Sequence, residues 1–300
     1  MTPLGPILAA TDFSEAARHA ADRAARLAHE TGAALTLMHV MPGGSLLELR
    51  SWFGAGSDME QRLQAEARQQ LGQLAGELQA TRHVAARLAH AAGAPLDEIV
   101  REAQALDAGL LVVGARGTGF LRRLVLGTTS ERLLRRTTRP VLVVRQTAPE
   151  PYSSVLLALD FSPWSLRAVA LAQQAAPHAQ LVLLNAFEVP FEEKLRFAGV
   201  DAATIDQYRR RARASAIERV HALAAAAGLK PGRWKACIVE GDASLRIVEQ
   251  EQELNCDLVV LGKHGQSATE DLLLGSVTKH VLAEGSADVL VSTARAAAPR

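Results

Sequence analysis

The feature that most constrains the fold of this chain is a glycine motif that occurs twice, 148 positions apart. In the first copy an apolar run at residues 110–113 leads into Gly114 and Gly117, and after nine residues Gly127 and Thr128 begin a predicted helix. The second copy repeats this spacing with Gly262, Gly265, Gly275 and Ser276. Each copy therefore predicts a strand, a glycine turn, a spacer and a helix N-terminus.

The chemistry of this motif suits a bound anion. Backbone N–H groups in the first turn of a helix have no partner within the helix, and the helix dipole places positive charge there. Glycines before the helix let a ligand approach the backbone closely. In a purely structural interpretation the glycines only turn the chain after a strand, but that interpretation weakens when two copies share one spacing.

The repeat extends beyond the glycines. The strand that opens each half is followed by Asp12 or Asp160, again 148 positions apart, and the next strand ends at Val40 or Ala186. In each half, five predicted strands alternate with four predicted helices, which favours a parallel sheet with right-handed crossovers. The predicted fold class is α/β, with two tandem Rossmann-like domains, each a five-stranded parallel sheet with helices on both faces.

The predicted domains span residues 1–146 and 152–296. The linker between them, at 145–153, holds two prolines. Because an open parallel sheet binds its ligand beyond the carboxyl ends of its strands, we expect both aspartates and both glycine motifs to meet at such an edge.

Composition excludes several classes of function. A net charge of +1 over 300 residues provides no overall field that would attract nucleic acid or an anionic membrane. The two cysteines lack the spacing of a zinc site, and the nine histidines form no HxxxH or Cys/His arrangement. The first residues lack a basic leader, and no apolar run approaches the roughly 18 residues of a membrane helix, so a cytoplasmic location is expected.

Known catalytic and cofactor motifs are missing from the sequence. No P-loop motif occurs, and the run at Gly114 does not match the dinucleotide pattern G-x-G-x-x-G. No Ser/His/Asp set stands out by spacing, so no catalytic residue and no metal ligand is predicted. Thr128 also fits a capping box with Glu131, and Asp12 fits a turn before a helix, which leaves a structural alternative open for both.

The pattern Gly-x2-Gly-x9-Gly-Ser/Thr, in a domain whose first strand ends in Asp, resembles the universal stress protein family, and two copies in register resemble its tandem members. The resemblance implies ATP as ligand, with or without Mg²⁺. It assigns to the two sites Asp12, Val40, Gly114, Gly117, Gly127 and Thr128, and Asp160, Gly262, Gly265, Gly275 and Ser276. Two departures are Ala186 at the position of Val40, and Ala287-Asp288 at the position of Arg139-Pro140.

The sequence is compatible with three functions. The first is a stress-response module that binds adenine nucleotide and acts through a conformational or partner change, with at most weak ATP hydrolysis. The others are a nucleotide-independent interaction scaffold with vestigial pockets and a slow ATPase.

Two further expectations concern how the halves differ and meet. Arg116, Arg122 and Arg123 belong to the first glycine segment, whereas Glu270 and Asp271 belong to the second, so the first site is expected to bind a polyphosphate more tightly. The last strands of both halves are apolar, and family members pair through that strand. The resemblance therefore implies an internal pseudo-dimer in which the last strands of the two halves lie against each other. A homodimer is a further alternative.

Overall fold

The computed structural model describes residues 4–44, 51–52, 58–115, 128–189, 192–263 and 274–293. In the first half these residues form strands and helices in the order β1 (Ile7–Thr11), α1 (Glu15–Thr31), β2 (Leu35–Pro42), α2 (Asp58–Arg82), β3 (Ala86–Gly93), α3 (Pro95–Ala105), β4 (Leu110–Gly114), α4 (Thr128–Arg136) and β5 (Val141–Val144).

Among the described residues, the second half follows the same order with one additional short helix after its second strand. Its elements are β6 (Ser154–Ala158), α5 (Ser165–Ala175), β7 (Gln180–Phe187), α6 (Glu192–Phe197), α7 (Ala202–Ala226), β8 (Trp234–Glu240), α8 (Ala243–Glu253), β9 (Leu258–Gly262), α9 (Ser276–Glu284) and β10 (Asp288–Ser292). The predicted α/β class with two tandem domains is confirmed.

The chain divides into two compact units whose boundary differs from the boundary of the repeat. Unit 1 runs through Pro151 and also takes a segment beginning at Ser286, whereas unit 2 runs from Tyr152 to Gly285. The last strand of the second repeat, β10, therefore belongs to unit 1. None of the helices in the described part of the chain is long and apolar enough to cross a membrane.

Parallel strand pairing dominates in both units. In unit 1 the strand order is β3-β2-β1-β4-β5-β10, with parallel neighbours except for the antiparallel pair of β5 and β10. In unit 2 the order is β9-β6-β7-β8, and all pairs are parallel. The central strands β1, β4, β5, β6 and β9 are almost wholly buried apolar runs, as expected for a sheet covered on both faces.

Local sequence explains where helix α1 begins and ends. Ser14 caps it, with its hydroxyl accepting a hydrogen bond from the backbone N–H of Ala17, and Gly32 ends it in the left-handed conformation at φ 71°. Seven alanines and leucines on one side of the helix are buried. This apolar face packs on β1 and β4 and so holds the helix start near the end of the first strand.

Arginines of α1 and α2 fix the segment predicted as a linker. Arg82 pairs with Asp22 at 2.7 Å and also donates to the carbonyl of Ala148 at 2.8 Å. Arg26 donates to the carbonyls of Ala148 and Pro149, and Arg23 donates to the carbonyl of Glu150. The beginning of this segment is therefore bound to unit 1, although its prolines suggested only a connection.

A buried aspartate ties β10 to the rest of unit 1. Asp288 is fully buried, and its Oδ1 accepts hydrogen bonds from the backbone N–H groups of Arg145 at 2.7 Å and Gln146 at 3.2 Å. Its Oδ2 lies 3.4 Å from Nε of Arg23, whose side chain is 4% exposed. One of the two departures from the family pattern thus supplies the carboxylate of a buried ion pair.

We expect Asp288→Ala to destabilise the protein by about 3–5 kcal/mol, because it leaves the buried Arg23 charge without its carboxylate. The measurement is the free energy of unfolding in urea. Asp206→Ala is the matched control, since Asp206 pairs with Arg209 on an exposed part of α7 and its loss should cost about 1 kcal/mol or less. Equal losses for the two variants would contradict this account of β10.

Candidate functional site

Each opening strand ends in a short turn built by its aspartate. Oδ1 of Asp12 accepts hydrogen bonds from the backbone N–H of Ser14 at 3.1 Å and from its hydroxyl at 2.5 Å. In unit 2, Oδ1 of Asp160 accepts from the N–H of Ser162 at 2.9 Å and the hydroxyl of Ser165 at 3.1 Å. The turn role that the sequence left open for Asp12 is therefore present in both units.

The residue after each aspartate adopts a left-handed backbone. Phe13 has φ 64° and Phe161 has φ 59°, values that residues other than glycine seldom adopt. Local strain of this kind persists only where the surroundings hold it, and it is concentrated at binding sites. The turn directs a phenylalanine ring toward the carboxyl edge of each sheet, where the two rings meet different partners.

A cavity of about 900 Å³ lies at the carboxyl edge of the unit 2 sheet. Five of the residues predicted for the second site line it, and they come from four separate segments: Asp160, Ala186, Gly262, Gly275 and Ser276. The sixth, Gly265, lies outside the described residues. Parallel pairing of β9, β6 and β7 brings these segments together, because the carboxyl ends of all three strands face the same way.

Hydroxyl groups join each glycine strand to the helix that follows it. Oγ of Ser130 donates to the carbonyl of Gly114 at 2.9 Å, and Oγ1 of Thr278 donates to the carbonyl of Gly262 at 3.0 Å. The two hydroxyls are 148 positions apart and both are buried. Sequence reasoning missed this pair, although their position two residues after Thr128 and Ser276 was a usable signal.

The glycines at the two ends of the motif have different structural needs. A Cβ on Gly114 would lie 2.8 Å from the backbone of Ala16 in α1, so no larger residue fits there without moving the helix. On Gly275 a Cβ would lie 3.4 Å from the carbonyl oxygen of Lys263, an ordinary contact. Close packing against α1 is therefore sufficient to explain why glycine occupies position 114. The described neighbours give no such steric reason for glycine at position 275.

In unit 1 the structure describes part of the predicted site. Asp12, Val40 and Gly114 lie at the carboxyl ends of β1, β2 and β4, which are neighbours in the sheet. Thr128 is the first residue of α4. The other residues predicted for this site, Arg116, Gly117 and Gly127, lie outside the described residues. So do the charged residues of the two spacers, Arg122, Arg123, Glu270 and Asp271.

A polar side chain from the second strand holds the end of the first in each unit. Nδ1 of His39 lies 2.8 Å from the carbonyl oxygen of Thr11, and Nδ2 of Asn185 donates to the carbonyl of Leu159 at 2.7 Å. Because a carbonyl only accepts, the imidazole must carry its proton on Nδ1 and the amide oxygen of Asn185 must point away. Asn185 lines the cavity, and sequence reasoning assigned it no role.

A second histidine lies beside His39. His90 is its register partner on β3, the two ring centroids are 6.0 Å apart, and Nε2 of His90 is buried without a hydrogen-bond partner among the described residues. Burial first, and then the neighbouring His39 and Arg68, lower the pKa of His90 below its usual range. In unit 2 the register partner of Asn185 is Ile238, so this pair of rings is specific to unit 1.

The fold and the cavity define a tandem pair of open α/β domains that present a ligand-sized pocket at the carboxyl edge of a parallel sheet. The chain belongs to the universal stress protein family, whose model matches residues 4–145 and 151–293.

Among its relatives, a universal stress protein of Mycobacterium tuberculosis is 31% identical over 190 residues, which cover 62% of each chain. The match thus spans about three fifths of that relative's length. The universal stress protein YxiE of Bacillus subtilis is 31% identical over 146 residues, covering 46% of this chain and 97% of its own. A universal stress protein structure from Archaeoglobus fulgidus has a TM-score of 0.68 at 18% identity, covering 99% of this chain and all of that one. This likeness supports the fold.

The two glycines provide the first test of the site. We expect Gly114→Ala to destabilise the protein by about 1–3 kcal/mol, since its methyl group meets the α1 backbone, and Gly275→Ala to cost less than about 1 kcal/mol. Urea unfolding without added ligand measures both. Equal costs, or a larger cost at Gly275, would contradict the difference in packing.

Protonation of His90 should make stability depend on pH. Because its folded pKa lies below the ordinary value of about 6.5, the unfolded chain binds more protons in the window below that value. This contribution to stability is complete above about pH 6.5 and is lost as pH falls. We expect His90→Ile, which copies the residue of unit 2, to lose less unfolding free energy than the parent between about pH 7.5 and pH 5.5. An unchanged pH dependence would contradict the assignment.

Proposed function

We propose that this protein binds adenine nucleotide, ATP with or without Mg²⁺, at the carboxyl edges of its sheets. Its output in the stress response is a change of conformation or partner, and hydrolysis is at most a slow side reaction. The observation that carries the proposal is the cavity of about 900 Å³ lined by Asp160, Gly262, Gly275 and Ser276. Small-molecule sites in proteins have volumes of roughly 300–1,000 Å³.

The chemistry of the cavity supports a phosphate at one end. Ser276 is the first residue of α9, so backbone N–H groups of its first turn and the positive end of the helix dipole lie beside the lining. Gly275 precedes the helix at φ −57° and ψ 150°, and it has no side chain that would keep a ligand away from the backbone. A polyphosphate in this position needs no metal ligand from the protein, because Mg²⁺ can be held by phosphate oxygens and water.

The part of the cavity formed by the ends of β6 and β7 suits a base and a sugar. Its wall combines apolar groups, including Ala186 and Leu184, with the polar side chains of Asp160 and Asn185. A few convergent polar groups in a mainly apolar wall are typical of sites that orient a small organic ligand.

Unit 1 supports the same proposal through the equivalent residues Asp12, Val40 and Gly114. We also propose that the first site binds ATP more tightly than the second, because of the charges of the two spacers.

A further part of the proposal is the internal pseudo-dimer, which the antiparallel pairing of β5 with β10 supports.

Calorimetry with ATP tests the proposal and counts the sites. We expect the parent to bind two ATP per chain, and Ala186→Phe, which fills the cavity of unit 2, to bind one. The matched control is Ala222→Phe, which adds the same bulk at an exposed position of α7 and should still bind two. At 100 times the dissociation constant, ATP should also add about 2.7 kcal/mol to the unfolding free energy.

The outcomes separate the three functions. If ATP gives no heat of binding and no stabilisation, the protein is better explained as a nucleotide-independent interaction scaffold with vestigial pockets. Phosphate release that continues through many turnovers and falls in Ala186→Phe, but not in Ala222→Phe, would favour the ATPase.

A further inference from the structure

The equivalent phenylalanines of the two units have different partners. In unit 1 the Phe13 ring stacks on His39, with centroids 4.3 Å apart and an interplanar angle of 26°. In unit 2 the position of His39 is taken by Asn185, and the guanidinium carbon of Arg219, on α7, lies 4.0 Å from the centroid of the Phe161 ring. The same left-handed turn therefore presents a stacked aromatic pair in one unit and a cation on a ring in the other.

Arg219 differs from Arg209 of the same helix in the groups that its charge contacts. Arg209 donates to Glu192, Asp206 and Glu240. By contrast, Arg219 is paired with no carboxylate in the described part of the chain, and its contact there is the Phe161 ring. A guanidinium on an aromatic face keeps its N–H donors, at the edge of its plane, available to another group.

The position of Arg219 places it at the end of the cavity away from the glycines. Both Arg219 and Phe161 line the cavity. Helix α7 packs on β7 and β8, whereas Gly262 ends β9, and β6 with Asp160 lies between them in the sheet. A ligand with its phosphates at Gly275 and Ser276 therefore directs its other end toward Arg219.

We propose that Arg219, held over Phe161, binds the purine base in the pocket of unit 2, stacking on the base or donating to its ring nitrogens. This rests on the proposed function, and it names a base-recognition residue that unit 1 replaces with the Phe13–His39 pair. Planar guanidinium groups stack on aromatic rings and donate in a fixed geometry, and purines offer both a flat face and acceptor nitrogens. The two pockets of the chain thus contact the base by different chemistry.

Tryptophan fluorescence can report on this pocket alone. Trp164 lines the cavity, and the other two tryptophans, Trp52 and Trp234, lie outside its lining. A Trp52→Phe, Trp234→Phe background leaves Trp164 as the reporter. In that background, titrations with ATP and with adenosine compare a ligand that carries phosphates with one that lacks them.

We expect Arg219→Ala to weaken ATP and adenosine by the same factor, roughly five- to tenfold. Arg219→Lys keeps the charge but loses the planar group, so it should show most of this loss. Arg213→Ala removes the same charge from an exposed position of α7 outside the cavity and should leave both affinities unchanged.

Other outcomes overturn the proposal in distinct ways. Weakening of ATP alone would place Arg219 on the phosphates. Unchanged affinities for both ligands would mean that Arg219 only packs on Phe161, while the nucleotide site itself stands. Failure of the background protein to respond to either ligand would overturn the nucleotide site and this assignment together.

Discussion

Parallel strand pairing is the constraint on which the rest of this structure depends. It brings the carboxyl ends of β6, β7 and β9 to one edge, so residues from distant parts of the chain line a single cavity. At that edge the chain needs short, strained connections, and they are held by side-chain bonds to strand carbonyls. Thr278 binds the carbonyl of Gly262, and Asn185 binds that of Leu159. The pocket is thus a consequence of how the sheet ends are secured.

Divergence between the repeats falls on side chains around a preserved backbone. The aspartate turn, the left-handed phenylalanine and the hydroxyl bond to the glycine carbonyl occur in both units. The partner of the phenylalanine and the residue beside it on the next strand differ. A duplicated domain can in this way keep one architecture while its two pockets acquire separate ligand contacts.

Much of the fold and part of the site could be predicted from the sequence, because both depend on local pattern and repetition. Apolar runs and the shared spacing predicted the strands, and the strand ends predicted Asp160, Gly275 and Ser276 as neighbours. Arg219 could not be found this way, since its contact with Phe161 depends on how α7 packs over the sheet. The resemblance led us to expect that β5 and β10 would pair, as they do. The buried ion pair of Asp288 with Arg23 was not expected, because in the sequence Asp288 was only a departure from a family pattern.

The most direct test of the claim that this protein binds adenine nucleotide is a competition experiment among four nucleotides. The full chain is incubated with equal concentrations of ATP, GTP, CTP and UTP, separated from unbound nucleotide, and denatured, and the released ligand is identified by mass spectrometry. The account predicts that adenine nucleotides are retained in clear excess over the other three. Retention of no nucleotide, or of all four equally, would contradict it.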